Sequence, residues 1–239
     1  MNRQMPVWII VIVFLLSLTA CGGDEGEPRV ARWPLSVYSV KGSDKQADRV
    51  AVLSQAETVR VLKEEDGQSF IRMAGGKEGW AKSEHLALQA LVITDEGIGM
   101  YKRPAVSSGK AYGADNIRKA HVVFVFEEQE NTEGKWVKVQ GGANSNPGFK
   151  WVDGWIKVGS GYTDNAESVA RALELAEAVR KKDREALEDL VNESGAVGEA
   201  AAAALVDLEP VEDEEAAPTE ENGDDAPDSG DTTTENISG

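Results

Sequence analysis

Two hydrophobic rhythms divide this chain. Up to about residue 162, apolar and polar residues alternate in short runs, the period of half-buried strands. Ser36-Val37-Tyr38-Ser39-Val40 alternates, Val50–Leu53 follows a polar loop, and Thr58–Leu62 meets the turn Glu65-Asp66-Gly67. Ser69–Met73, the turn Gly75-Gly76 and Glu78–Ala81 complete a first set, with Ser83–Leu86 as a closing turn of 3₁₀ type. A second set begins with Ala90–Ile93 and Gly99–Tyr101. It continues with the strong β run His121–Phe126, a polar turn from Glu127 to Gly134, alternating Lys135–Val139, a Gly/Asn/Pro loop and Trp151–Lys157.

From Asp164 the period lengthens. Val169, Leu173, Ala176 and Val179 recur at helical spacing, as do Leu187, Leu190 and Val191. Thr163 or Asp164 is the expected cap, with Glu167 placed for a capping box. A second helix is expected over about Arg184–Asn192 and a third over Val197–Leu208. These three can form a small hairpin or pack on the second set of strands. Residues 209–239 hold twelve acids, three prolines and no Lys or Arg, so they cannot bury enough apolar surface to offset ordering and are expected to be disordered.

The two strand sets can be laid over each other. Thr58–Val61 matches Val122–Val125, Ser69–Met73 matches Lys135–Val139, and Gly79-Trp80-Ala81-Lys82 matches Gly154-Trp155-Ile156-Lys157. An internal repeat of this kind predicts two similar modules. The aromatic-bearing strand, glycine-rich turn and Gly-Trp ending resemble the bacterial SH3-like domains. The second module resembles them more closely, since Phe70 stands where Trp136 does; neither carries the Asn-Val-Arg signature in its first strand. The expected fold is therefore mainly β. It has two small SH3-like β-barrels over 33–88 and 89–162, a helical region over 163–208 and a disordered acidic tail over 209–239. The resemblance implies non-enzymatic binding, with peptidoglycan peptides or a protein segment as ligand.

Charge refines the partner class. The formal charge is −17; of 42 acids, twelve fall in the last 31 residues, which leaves 30 facing 25 Lys and Arg. Such a chain is a poor match for nucleic acid, which needs clustered positive charge. Every Trp, Tyr and Phe after residue 20 lies between Trp33 and Tyr162, so the core is expected there.

The N-terminus changes the compartment. Arg3, the apolar run Val7–Leu16 and a small-residue exit have the layout of a secretory signal. Its end, Leu18-Thr19-Ala20-Cys21, is similar to the lipobox of bacterial lipoproteins. That resemblance implies removal of residues 1–20, acylation of Cys21 and a membrane partner reached through the lipid anchor, with residues 21–32 as a flexible tether. Several acyl chains would make that anchor durable. Gly22, rather than Asp, follows Cys21, which favours the outer membrane by the same resemblance.

No catalytic constellation emerges. His85 and His121 fall in separate modules, and neither has a second His or Cys at metal spacing. No glycine-rich phosphate loop joins a strand to a helix. A cysteine peptidase of the kind fused to such modules needs a catalytic Cys, and Cys21, the only one, is taken by lipid. No cofactor or metal is expected. The remaining candidates are aromatic. Trp80 and Trp155 suit core packing, whereas Trp136 and Trp151 suit a binding platform in the second module. Glu127 and Glu128 stand just before Trp136 and would favour a ligand carrying amines. The competing expectation is a structural spacer or assembly subunit of an envelope complex, with its tryptophans buried and no groove.

Overall fold

The structure is a computed structural model, and it describes residues 26–96, 98–111, 117–142, 151–159 and 161–208. The first sheet contains β1 (Glu27–Ala31), β2 (Leu35–Tyr38), β3 (Arg49–Leu53), β4 (Thr58–Glu65), β5 (Gln68–Met73), β6 (Glu78–Lys82) and β7 (Leu86–Ala87). Its order is β3-β2-β6-β5-β4-β1-β7. Alternation sets the inner face. Val37, Val59, Val61, Ile71, Met73 and Ala81 are buried, while their strand neighbours point outward. Every strand contributes to one core, from Ala31 in β1 to Leu86 in β7, so the sheet curls around its own apolar face. β1 lies in the stretch expected to be a tether. Only Ala31 of its five residues is fully buried, so no apolar alternation marks it, and its pairing with β4 carries it.

The second sheet contains β8 (Gln89–Ile93), β9 (Met100–Tyr101), β10 (Val122–Asn131), β11 (Gly134–Gly141), β12 (Val152–Lys157) and β13 (Tyr162–Thr163), in the order β13-β8-β10-β11-β12-β9. Read from the other end, this matches β2-β6-β5-β4-β1-β7 of the first sheet. The registers agree in detail. Val61 faces Ile71 beside an irregularity at Leu62, and Val125 faces Val139 beside one at Phe126. Tyr38 faces Trp80, and Tyr101 faces Trp155. This pairing corrects the expected overlay in one strand. Ile71 corresponds to Val139 and Phe70 to Lys138, a slip of two residues that preserved the in/out alternation and so left no trace in the pattern. Glu127–Asn131, expected to be a turn, continues β10, and the turn is confined to Thr132-Glu133.

The glycine before each tryptophan has a steric reason. A Cβ on Gly79 would stand 2.8 Å from the Tyr38 carbonyl oxygen and 2.7 Å from Val37 Cγ1. One on Gly154 would stand 2.6 Å from Ala111 Cβ and 2.7 Å from Met100 Cγ. In both sheets a neighbouring segment crosses where a side chain would be.

Three helices follow: α1 (Ala166–Lys181), α2 (Arg184–Val191) and α3 (Ala196–Leu208). The cap of α1 is Asn165, whose side chain accepts from the Ser168 N–H at 2.9 Å, in place of Thr163 or Asp164. Asp183 caps α2 in the same way, accepting from Ala186. The helices pack on the outer face of β8 and β10. There Ala90, Val92, Val122 and Phe124 meet Val169, Ala172, Leu175, Leu187, Leu190 and Val197. The inward residues of the same strands, Leu91, Ile93, Val123 and Val125, fill the sheet's own core. Burial on both sides explains why these strands read as continuous apolar runs. On α1 the buried stripe is Val169, Ala172, Leu175 and Ala178, with Leu173, Ala176 and Val179 half-buried beside it.

Candidate functional site

The connection from β1 to β2 places Arg32 between the two sheets. Its guanidinium carbon lies 3.7 Å from the Trp33 ring centroid, 5.2 Å from that of Trp151 and 5.3 Å from that of Phe126. Nη1 donates to Gln140 Oε1, and Gln140 Nε2 donates in turn to Asp153 Oδ2 at 3.1 Å. The Arg32 backbone is held as well: its N–H donates to the His85 carbonyl at 3.0 Å and its carbonyl accepts from Gln55 Nε2 at 2.8 Å. Burial lowers the Arg32 pKa from its ordinary value, with Glu84 and Asp153 opposing the shift. A planar cation suits this position because it stacks on aromatic faces while keeping in-plane donors. The cluster joins β1, β10, β11 and the start of β12.

Trp33 continues from this junction into a groove on the first sheet. Its ring packs on His85 at 4.6 Å between centroids, tilted by 55°. The groove has a volume of about 440 Å³, within the usual range for ligand sites, and is lined by Trp33, Tyr38, Asp44, Gln68, Lys82 and His85 among others. His85 Nδ1 and Arg32 Nε are buried and have no hydrogen-bond partner among the described residues. Burial lowers the His85 pKa, Arg32 and Lys82 add to the shift, and Glu84 opposes it. The lining thus combines aromatic rings with one anion, Asp44, and one cation, Lys82.

The residues expected to form the site do not converge. Trp136 is 0% exposed and stands edge-on to Tyr101 at 5.6 Å, so it presents no face to a ligand. Trp151 is 47% exposed and sits against Arg32 and Gly142, away from Trp136. Glu127 and Glu128 are exposed on β10; Lys135 Nζ lies 2.6 Å from Glu128, while Lys138, across the strand pair from Glu127, forms its ion pair with Asp153 at 3.6 Å. Trp155 is buried at 7% exposure, in line with a core role, and Trp80 is half-buried on the outer face of the first sheet. Trp33 and Arg32 were missed because they sit in a connection with no periodic signal. Cys21 lies outside the described residues.

His85 belongs to the first sheet's closing turn, while His121 precedes β10 and accepts the Arg118 N–H on Nδ1. Burial, with a smaller push from Arg118, lowers the His121 pKa to about 4. Ser69, a fully buried hydroxyl, is 2.7 Å from Ser83 Oγ and donates to Glu64. Among the described residues no group of three or more His, Cys, Asp or Glu could hold a metal, and no helix is long and apolar enough to cross a membrane.

The sequence context of these β-rich modules is that of a bacterial lipoprotein, a membrane-anchored protein of the cell envelope. A family model, lipoprotein LenA, matches residues 9–220, and the chain belongs to that family. No curated protein matches. Among solved structures, the chain is similar to NlpC2 from Trichomonas vaginalis, at 11% identity and a TM-score of 0.24 over 66% of this chain. It is also similar to an NlpC/P60 endopeptidase from Photobacterium damselae subsp. piscicida, at 8% identity and a TM-score of 0.24 over 72% of this chain. The matches span 56% and 42% of those two proteins' lengths.

Proposed function

We infer that this lipoprotein is a non-enzymatic binding protein of the cell envelope. In this reading Cys21 carries the lipid, the outer membrane is its location, and the two sheets are SH3-like modules. The ligand is a peptide, either the stem peptide of peptidoglycan or a segment of an envelope protein. The observation that carries the reading is the groove beside Trp33. It offers an aromatic wall of Trp33, Tyr38 and His85, and opposite charges at Asp44 and Lys82. A zwitterionic peptide is a chemical match for such a lining, while the aromatic wall supplies contact area at low entropic cost.

The test uses the full-length lipoprotein in nonionic detergent, with purified murein sacculi and soluble stem peptides. Saturable binding that falls about tenfold in Trp33→Ala, while Trp151→Ala changes it little, is the expected result. Equal binding by wild type and Trp33→Ala would remove the groove from the reading. Anchoring is tested separately: Cys21→Ser should abolish incorporation of a labelled fatty acid, and label that persists would overturn lipidation at this residue.

A second reading, that of a structural spacer, rests on the Arg32 junction and on the helical core, which draws in Val30 and Ala56 of the first sheet. It predicts that no peptide or sacculus titration saturates.

A further inference from the structure

The outer face of the first sheet carries a second aromatic surface, which adjoins the groove and shares Tyr38, Gln68 and Lys82 with it. Cross-strand pairing sets Tyr38 on β2 opposite Trp80 on β6, Trp80 opposite Phe70 on β5, and Phe70 opposite Lys63 on β4. The four form one row across four adjacent strands. Their inward neighbours Val37, Ile71, Ala81 and Val61 are core residues, so the row faces out. At the usual strand spacing it is about 14 Å long. Phe70 and Trp80 lie 5.1 Å apart, and all three rings are half-buried.

The row is ringed by cations. Lys63 Nζ stands 5.0 Å from the Trp80 centroid and 5.9 Å from that of Phe70, and Lys41 Nζ stands 5.6 Å from Trp80. The row on one side holds Lys82 and Gln68; the row on the other holds Arg72 and Arg60 with Glu78. Five cations thus face Glu78 and the turn residues Glu65 and Asp66, in a chain whose net charge is −17. This reverses the sign of the molecule over one face.

We propose that this face binds an anionic polysaccharide, a glycan strand bearing carboxylates, along the row Tyr38–Trp80–Phe70–Lys63. The aromatic faces take the apolar C–H faces of the sugar rings, and Lys41, Lys63 and Lys82 take the carboxylates, in part exchanging them for Glu65 and Asp66. An added peptide strand is a poor alternative. β2, β6, β5 and β4 each have a neighbour on both sides, so no free strand edge borders the row. A long nucleic acid extends beyond the face and meets the rest of a strongly acidic chain.

The experiment titrates the full-length lipoprotein in nonionic detergent with an oligogalacturonate of defined length. Its methyl-esterified form is the uncharged control, and an oligothymidylate of equal charge is the polyanion control. Saturable binding of the acid form, at least tenfold tighter than either control, is expected. Trp80→Ala should weaken it at least tenfold, and so should the surface double variant Lys41→Glu/Lys63→Glu with an unchanged thermal midpoint. Trp33→Ala should leave it within twofold, which separates this site from the groove. The proposal is overturned by any of three results: no saturation, equal binding of a control, or undiminished binding by the lysine variant.

Discussion

Replacing Arg32 tests whether the two sheets are held together by a stacked cation. The contacts at risk are three ring faces and a charge-assisted bond to Gln140. A cation–π contact is worth about 0.5–1 kcal/mol when exposed and about 2 when desolvated. Only Trp33 is close, so the three together contribute roughly 2 kcal/mol. A hydrogen bond from a charged donor adds about 1.5–3 kcal/mol. Against this stands the burial that lowers the Arg32 pKa, a desolvation cost that Arg32→Ala also removes. The expected net loss for Arg32→Ala is therefore about 2–3 kcal/mol. For a body of this size that is a fall of roughly 4–12 °C in Tm, at about 2–4 °C per kcal/mol. Arg32→Lys keeps the charge but loses the planar stack and the fork of donors, and should lose about 1–2 kcal/mol. Urea unfolding of single variants and of Arg32→Ala/Trp151→Ala would supply the coupling, expected at about 0.5–1 kcal/mol. An Arg32→Lys protein as stable as wild type would refute the stacking argument. Zero coupling to Trp151 would confine the clamp to Trp33 and Phe126.

Four further outcomes follow from the same geometry. Gly154→Ala should cost about 1–3 kcal/mol by overpacking, since its Cβ would lie 2.6 Å from Ala111 Cβ; calorimetry reads it directly. Trp136→Ala should cost about 3–5 kcal/mol, as for other fully buried aromatics, while Trp151→Ala should stay within about 1 kcal/mol in the same melts. Asn165→Ala should lose about 1 kcal/mol with the cap of α1, measurable as a shift in urea midpoint. His121 is held at about 4 in the fold against an ordinary value of 6.5, so its contribution is complete above pH 6.5 and is lost as pH falls toward 4, because the unfolded chain then binds the proton more readily. The loss is on the order of 3 kcal/mol, and His121→Gln should flatten that part of a stability-versus-pH curve.

The strands that were legible in the sequence are those whose inner and outer residues differ. β4, β5 and β6 alternate because one face meets the first core and the other meets water. β1 was illegible because Glu27-Pro28-Arg29 bury little and owe their strand geometry to β4. The helices were legible as a period, but their rotation was not: an alanine-rich helix buries small residues as readily as large ones, so Ala172 and Ala178 took places expected for Leu173 and Ala176. The same limit governed the tryptophans. Trp136 and Trp151 have equal hydrophobicity and lie on either side of one loop, yet one is enclosed beside Tyr101 and the other rests half-exposed on Arg32. Only the register of β11 against β12, and the partner that Trp151 meets across the junction, decide between them.

That register bears on where a ligand can bind. In the second sheet, β8 and β10 spend their outer faces on the helices through Ala90, Val92, Val122 and Phe124. Two of its outer aromatic residues are closed as well, Trp155 and Trp136, while Tyr101 beside Trp155 is half-buried. The corresponding face of the first sheet keeps Tyr38, Trp80 and Phe70 half-open, and Lys138 stands in the second sheet where Phe70 stands in the first. Two sheets of the same strand order have thus been put to different uses. One has its outer face covered by the helices, and the other, fixed to it through Arg32, leaves the groove and the aromatic row half-open.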